Sequence, residues 1–434
     1  MKYQMASFNF FNKFSKTSNR VAKVIGDISR SGLVAVIPDY FNKPRSLMKN
    51  TLIGLDINPA YVALAEISMN NTDEFDAGSD CNASSDGIDC CFYELMSFTF
   101  IPLADFECNH SEAEIMQQAI VLALAKSKPK TRKTVVALPY SMVNDKTVVL
   151  THHSRENTIE EFLKLNSEKY FGAESASINF DYCVLPGAVA ATEVFDQSRS
   201  LMWFRSQTDE SLADIAPRTL ALQLITTERK HIDRCEHLLT AVDLNLIAVD
   251  VDIYALIRAA VLLYPELKTP YAIVYLDCGK ILVALRVLTE WKHFEKLEQP
   301  PFFIRETLID DAAKLNGITL AQFILKQLLQ AIQETTVSFD KNSAMLTVLL
   351  CGAYEFIVTG LTDLAHIVDE MVRSNRSNAI AMESTSDLKI QVIVANPFNR
   401  IKLATHLQPY ANELNKIAPV MMLCCGLALQ KLYV

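Results

Sequence analysis

Two short runs place a carboxylate at the end of an apolar strand, beside a tight turn. The first is Leu52-Ile-Gly-Leu-Asp-Ile-Asn58 and the second is Tyr271-Ala-Ile-Val-Tyr-Leu-Asp-Cys-Gly279. A return strand follows each, over residues 61–68 and 281–287. Backbone N–H groups that converge at such a turn cradle phosphate oxygens. A carboxylate next to them, Asp56 or Asp277, holds a phosphate-bound Mg ion through water. The second turn offers Asp277 and Gly279 in the roles of the first, and Asn58, Cys278 and Lys280 complete the candidate set. A third strand end, Cys351-Gly352-Ala353, places a glycine where a flat ring could lie close to the backbone. Gly352 and Ala353 are therefore candidates for the adenine and ribose side of one ligand. Each turn alone is weak evidence, because Asp and Gly populate turns generally. The three in this order, each after a suitable strand, carry more.

Elements that position these turns are legible around them. Two strand-turn-strand units about 220 residues apart predict two lobes of one duplicated design. Residues 51–140 read as the core of the first lobe, with strands at 92–101 and 134–138 and a helix at 111–128. Ser111 with Glu114 three residues on is a capping box for that helix. Residues 141–249 read as an inserted α/β subdomain, including a helix over 159–170 and a strand-like run at 244–249. Residues 250–434 read as the second lobe, with 290–340 mainly helical and a last buried helix near 419–432. The fold class is α/β and two-lobed.

Composition bounds the rest. The chain has 434 residues, half of them hydrophobic, enough for two to four packing units. Its net charge of −9 hides an asymmetry. Residues 1–50 carry nine Lys/Arg and two Asp/Glu, a net +7, so the remainder carries −16. This basic head reads as a flexible extension, either a solubilising tail or a contact with acidic lipid or an acidic partner. No nucleic-acid partner is expected. Ten cysteines occur without any C-x-x-C spacing, which suits buried free thiols in a reducing compartment. The longest apolar run, 418–429, is too short for a membrane span. The acidic stretch 70–91 lacks the twelfth-position Glu of a calcium loop, and His152-His153 alternate faces in a strand, so neither reads as a metal site.

The order Leu52-Ile-Gly-Leu-Asp-Ile, Val136-Ala-Leu-Pro139 and Asp277-Cys-Gly279 resembles the actin-like ATPase superfamily. The tail narrows the likeness. Val394-Ala-Asn-Pro-Phe398, Ile401-Lys-Leu403 and Ala418-Pro-Val-Met-Met-Leu-Cys-Cys-Gly-Leu-Ala-Leu429 resemble the ending of the type IV pilus assembly PilM family. The resemblance spans about 52–432 and leaves out the basic head. It implies the fold of the division protein FtsA, two ribonuclease-H-like lobes around a nucleotide cleft with a small inserted subdomain. It also implies a cytoplasmic place at the inner face of the inner membrane. Its implied partner is the N-terminal tail of a PilN-like inner-membrane protein, with a link to the pilus motor ATPase or platform protein. ATP with Mg is the implied cofactor, with slow or absent hydrolysis.

The sequence departs from that family where ATP would bind. Asn58-Pro59-Ala60 stands where small residues follow the Asp, and proline has no N–H to donate. Ala63 stands in place of a lysine, Cys351-Gly352-Ala353 keeps one of two glycines, and Glu298-Gln-Pro-Pro301 replaces a Gly-Gly turn. Two lost charge-assisted bonds at about 1.5–3 kcal/mol each weaken affinity by roughly two to four orders of magnitude. Lys280 either supplies a charge near the phosphates or is a solvent-facing turn lysine, and the second is the plainer expectation. No residue reads as catalytic. The leading expectation is a scaffold that docks a partner peptide. An active sugar-kinase-like phosphotransferase and a membrane-associated actin-like filament protein are the alternatives.

Overall fold

The computed structural model describes residues 50–70, 92–103, 106, 111–152, 159–172, 177–184, 218–267, 270–277, 280–286, 303–308, 317–334, 345–352, 366–368, 370 and 389–430. The basic head and most of the acidic stretch 70–91 lie outside them. The described chain opens with three antiparallel strands, β1 (Asn50–Asn58), β2 (Tyr61–Asn70) and β3 (Phe92–Pro102). Helix α1 (Glu112–Ser127) leads to β4 (Lys133–Leu138), which pairs parallel to β1. The capping box forms: Ser111 Oγ accepts from the Glu114 N–H, and the Glu114 carboxylate accepts from the Ser111 N–H at 2.8 Å. Both groups would otherwise be orphan donors of the first turn.

The inserted subdomain comes next, with β5 (Asn144–His152), helices α2 (Ile159–Leu165) and α3 (Ser167–Phe171), β6 (Ile178–Val184), β7 (Arg218–Glu228) and α4 (Arg229–Ala241). Its strands form a separate antiparallel sheet in the order β5-β7-β6, over a small core of Leu163, Leu222 and Leu224. The single helix expected over 159–170 is two short ones. Asn166 separates them, and its side chain donates to the Phe162 carbonyl at 2.9 Å, in competition with backbone bonding.

Strand β8 (Asn245–Val251) then pairs parallel to β4, and helix α5 (Asp252–Leu263) follows it. The boundary expected at 249 is thus corrected. Residues 245–251 complete the first lobe's sheet, because their apolar run forms its ladder with Lys133–Leu138.

The second lobe holds β9 (Tyr271–Asp277), β10 (Lys280–Arg286), β11 (Phe303–Leu308), α6 (Gly317–Glu334), β12 (Met345–Gly352) and β13 (Lys389–Val394). Segment 290–340 is not simply helical as expected, since β11 forms the edge of this sheet, antiparallel to β10. The chain then returns to the first lobe. Strand β14 (Lys402–Leu403) adds to β3, and helices α7 (Ala411–Ile417) and α8 (Met422–Ala428) follow.

The two large sheets repeat one design. Leaving β14 aside, the first runs β3-β2-β1-β4-β8 and the second β11-β10-β9-β12-β13. In each, three antiparallel strands are extended by two parallel ones. The protein is a two-lobed α/β fold of duplicated lobes with an inserted subdomain. Helix α8 is wholly buried between β1 and α5. Its approach is set by size. A Cβ on Gly426 would lie 2.1 Å from the Ala255 carbonyl oxygen, and one on Gly54 in β1 would lie 1.9 Å from that of Cys424. Pro419, just before α8, accepts from the Gly352 N–H at the end of β12 at 2.9 Å, which ties the tail to the second sheet.

Candidate functional site

Both lobe hairpins close with two-residue turns. In the first, Asn58 pairs with Tyr61; in the second, Asp277 pairs with Lys280. By this register Asn58 matches Asp277, Tyr61 matches Lys280, and Asp56 matches Tyr275. The expected equivalence of Asp56 and Asp277 is therefore corrected. Asp56 sits two residues farther from its turn and is buried. The strand ends nonetheless face each other, since the Asn58 side-chain amide donates to the Asp277 carboxylate across the lobes.

Behind this bridge lies a chain of buried hydroxyls. Tyr61 donates to Asp56 at 2.9 Å, and the Tyr61 and Tyr275 hydroxyl oxygens lie 3.2 Å apart. A phenol has one proton, so Tyr275 donates to Tyr61. Burial pushes the Asp56 carboxyl up to about 7, helped by the charges of Asp277 and Asp252 and opposed by the Tyr61 bond and Lys280. Asp56 is thus shared between its neutral and charged forms near neutral pH.

Lys280 is not the solvent-facing turn lysine expected. It is 9% exposed. Its Nζ lies 2.8 Å from Asp252 and 3.9 Å from both Asp277 and Glu306. Burial alone would lower its pKa, but Asp252, Asp277 and Glu306 outweigh that and raise it. Burial lifts the Asp252 carboxyl to about 6, against the pull of Lys280. The pair is therefore charged on both sides above that pH.

Asp252 and Glu306 did not stand out in the sequence. The available signal was Asp250-Val-Asp252 at a strand-to-helix junction: the two would share one face of a continuous strand, and the helix that begins at Asp252 parts them. Asp252 turns to the cleft, whereas Asp250 turns inward to Arg258 at 2.6 Å. Arg258 also donates to the Gly426 carbonyl at 2.7 Å, fastening α8 to α5. A neighbouring network joins the inserted subdomain to α5, with Tyr254 and Gln223 both donating to Asp145.

Gly352 lies beside Leu276, one residue from Asp277. It adopts φ +102°, and a Cβ there would lie 2.0 Å from the Leu276 carbonyl oxygen. The neighbouring strand alone therefore requires a glycine here. Cys278, Gly279 and Ala353 lie outside the described residues.

The described donors do not fit Mg-ATP. Pro59 has no N–H, and that of Ala60 is taken by Asn58 Oδ1 at 3.0 Å. Lys280 is committed to Asp252. Asp252, Asp277 and Glu306 gather around Lys280, with Asp56 nearby, so phosphate oxygens would meet carboxylates here rather than free donors. Among the described residues, no group of three or more His, Cys, Asp or Glu is spaced to hold a metal ion.

Twin sheets of one topology, an inserted subdomain and hairpin strands whose ends meet between the lobes define the actin-like two-lobed fold. That fold is shared with a chain of the PilM-PilN type IV pilus biogenesis complex, at a TM-score of 0.53 and 14% identity, over 88% of this chain and 98% of that one. The cytoplasmic domain of EpsL, an inner-membrane component of the Vibrio cholerae type II secretion system, scores 0.32 at 10% identity, over 69% of this chain and 82% of that one. The ethanolamine utilization protein EutJ of Carboxydothermus hydrogenoformans scores 0.34 at 10% identity, over 89% and 91%. No family model matches the chain.

Proposed function

We propose that this chain is a scaffold of a type IV pilus machine. It docks the N-terminal tail of a PilN-like inner-membrane protein and joins it to the motor ATPase or platform protein, on the cytoplasmic face of the inner membrane. The observation that carries this reading is the fold shared with the PilM-PilN complex, across 98% of the matched chain. The cleft supports it, because Asp56, Asp252, Asp277 and Lys280 each engage another side chain of the protein. Docking an extended tail needs an apolar groove or a sheet edge and no catalytic residue. No helix among the described residues is long and apolar enough to cross a membrane, so on this reading membrane contact runs through the partner. A pull-down of the full chain with synthetic N-terminal peptides of inner-membrane pilus proteins tests the reading. Retention of one peptide above its scrambled version is expected, and equal recovery of both would end it.

A further inference from the structure

We propose that Lys280 is a built-in cation that bridges the two lobes and holds the cleft closed without nucleotide. The inference rests on the cleft alone and stands or falls apart from the peptide docking proposed above. Lys280 opens the return strand of the second lobe's hairpin, and its closest partner, Asp252, directly follows β8 of the first lobe's sheet, at the start of a helix that packs against both sheets. Its ammonium therefore bonds across the cleft at 2.8 Å, and it also lies 3.9 Å from Asp277 and Glu306 of its own lobe. One positive charge serves three carboxylates in a place nearly closed to solvent.

Two further cross-lobe contacts flank it. Asn58 of the first lobe donates to Asp277, and Tyr275 of the second donates to Tyr61. Three bridges of different chemistry thus span the floor of the cleft, and all are made by the chain itself. In a cleft that closes on a nucleotide, metal and phosphate join the lobes. Here the first turn is shaped against phosphate, with Pro59 lacking an N–H and Ala60 bonded to Asn58. The same Asn58 side chain that occupies the Ala60 N–H reaches over to Asp277, so one residue both blocks the cradle and makes a bridge. A buried ammonium among carboxylates is strongly held, because removing it leaves charges unpaired in a poorly solvated site.

The test uses the full chain with two fluorophores attached through non-natural ketone side chains at the exposed positions Gln118 and Lys326, one on each lobe. Energy transfer and thermal melting are read with and without millimolar Mg-ATP. Unchanged transfer and melting in the wild-type chain are expected. Lys280→Met should lower the transfer efficiency and the melting temperature, the latter by about 5 °C. Asn58→Ala strands no charge and serves if the first variant does not fold; it too should lower the transfer. A saturable rise in wild-type melting temperature or transfer with Mg-ATP would overturn the inference. So would wild-type transfer in a folded Lys280→Met or Asn58→Ala chain.

Discussion

Asn58 and Asp277 hold the same register position in the two lobes, each the last strand residue before a two-residue turn, and they are hydrogen-bonded to one another. A duplicated fold here uses its own symmetry to close its cleft. The matching positions carry an amide in one lobe and a carboxylate in the other, so the pair attracts where two carboxylates would repel.

The ion pair behind that contact should be measurable as a coupling. Lys280→Met alone leaves Asp252, Asp277 and Glu306 without their shared cation and should cost about 3–5 kcal/mol. Asp252→Asn combined with Lys280→Met should cost less than the sum of the single changes, by about 1 kcal/mol or more. Denaturant unfolding of the four chains gives the coupling, and strict additivity would contradict the bridge.

Asp56 makes stability fall as pH rises. Its folded pKa of about 7 lies above the ordinary 3.8, so the folded chain holds a proton that the unfolded chain has released. That contribution is complete below pH 3.8 and is lost as pH climbs through 7. Between pH 6 and 8 the loss amounts to about 1.4 kcal/mol. Asp56→Asn keeps an acceptor for the Tyr61 hydroxyl and cannot ionise. The difference in stability between wild type and variant should therefore change with pH by about that amount, as read by urea unfolding at both values. Other titrating groups, Asp252 among them, cancel to first order in this difference.

Gly426→Ala should be among the costliest single-methyl additions. The added carbon meets a backbone oxygen of Ala255 at 2.1 Å, and backbone cannot swing aside. Relief requires α8 and α5 to separate, which also strains the Arg258 bond to the Gly426 carbonyl. The expected loss is about 3 kcal/mol, at the upper end for overpacking. A melting temperature equal to that of the wild type would show that the two helices do not pack as described.

Gly352→Ala should destabilise the chain without any nucleotide present. Its φ of +102° suits only glycine, and the crowding comes from Leu276. A loss of about 2 kcal/mol or more is expected in plain buffer. A variant with wild-type stability that differs only in its response to adenine nucleotides would contradict this and favour the ring-contact reading.

Much of this architecture was legible because its signals are local. The hairpins at 52–68 and 271–287 show as apolar runs broken by a turn residue, and the Ser111–Glu114 cap is a four-residue pattern that forms as read. Other features escaped because they depend on partners far along the chain. Whether 245–251 completes the first sheet is decided by a ladder to residues 133–138, which no local pattern encodes. Lys280 looked like an ordinary turn lysine because its main partner, Asp252, lies 28 residues away and on the other lobe. The Asp56 and Asp277 motifs looked alike in sequence, but register is counted from the turn, and the turn after Asp56 falls two residues later than the motif suggests.

Docking without nucleotide is best tested by fluorescence anisotropy of a labelled N-terminal peptide from a PilN-like protein, titrated with the full chain in the presence and absence of Mg-ATP. Saturable binding with the same Kd in both conditions is the expected result. Anisotropy no higher than that of a scrambled peptide, or binding that appears only with Mg-ATP, would contradict it.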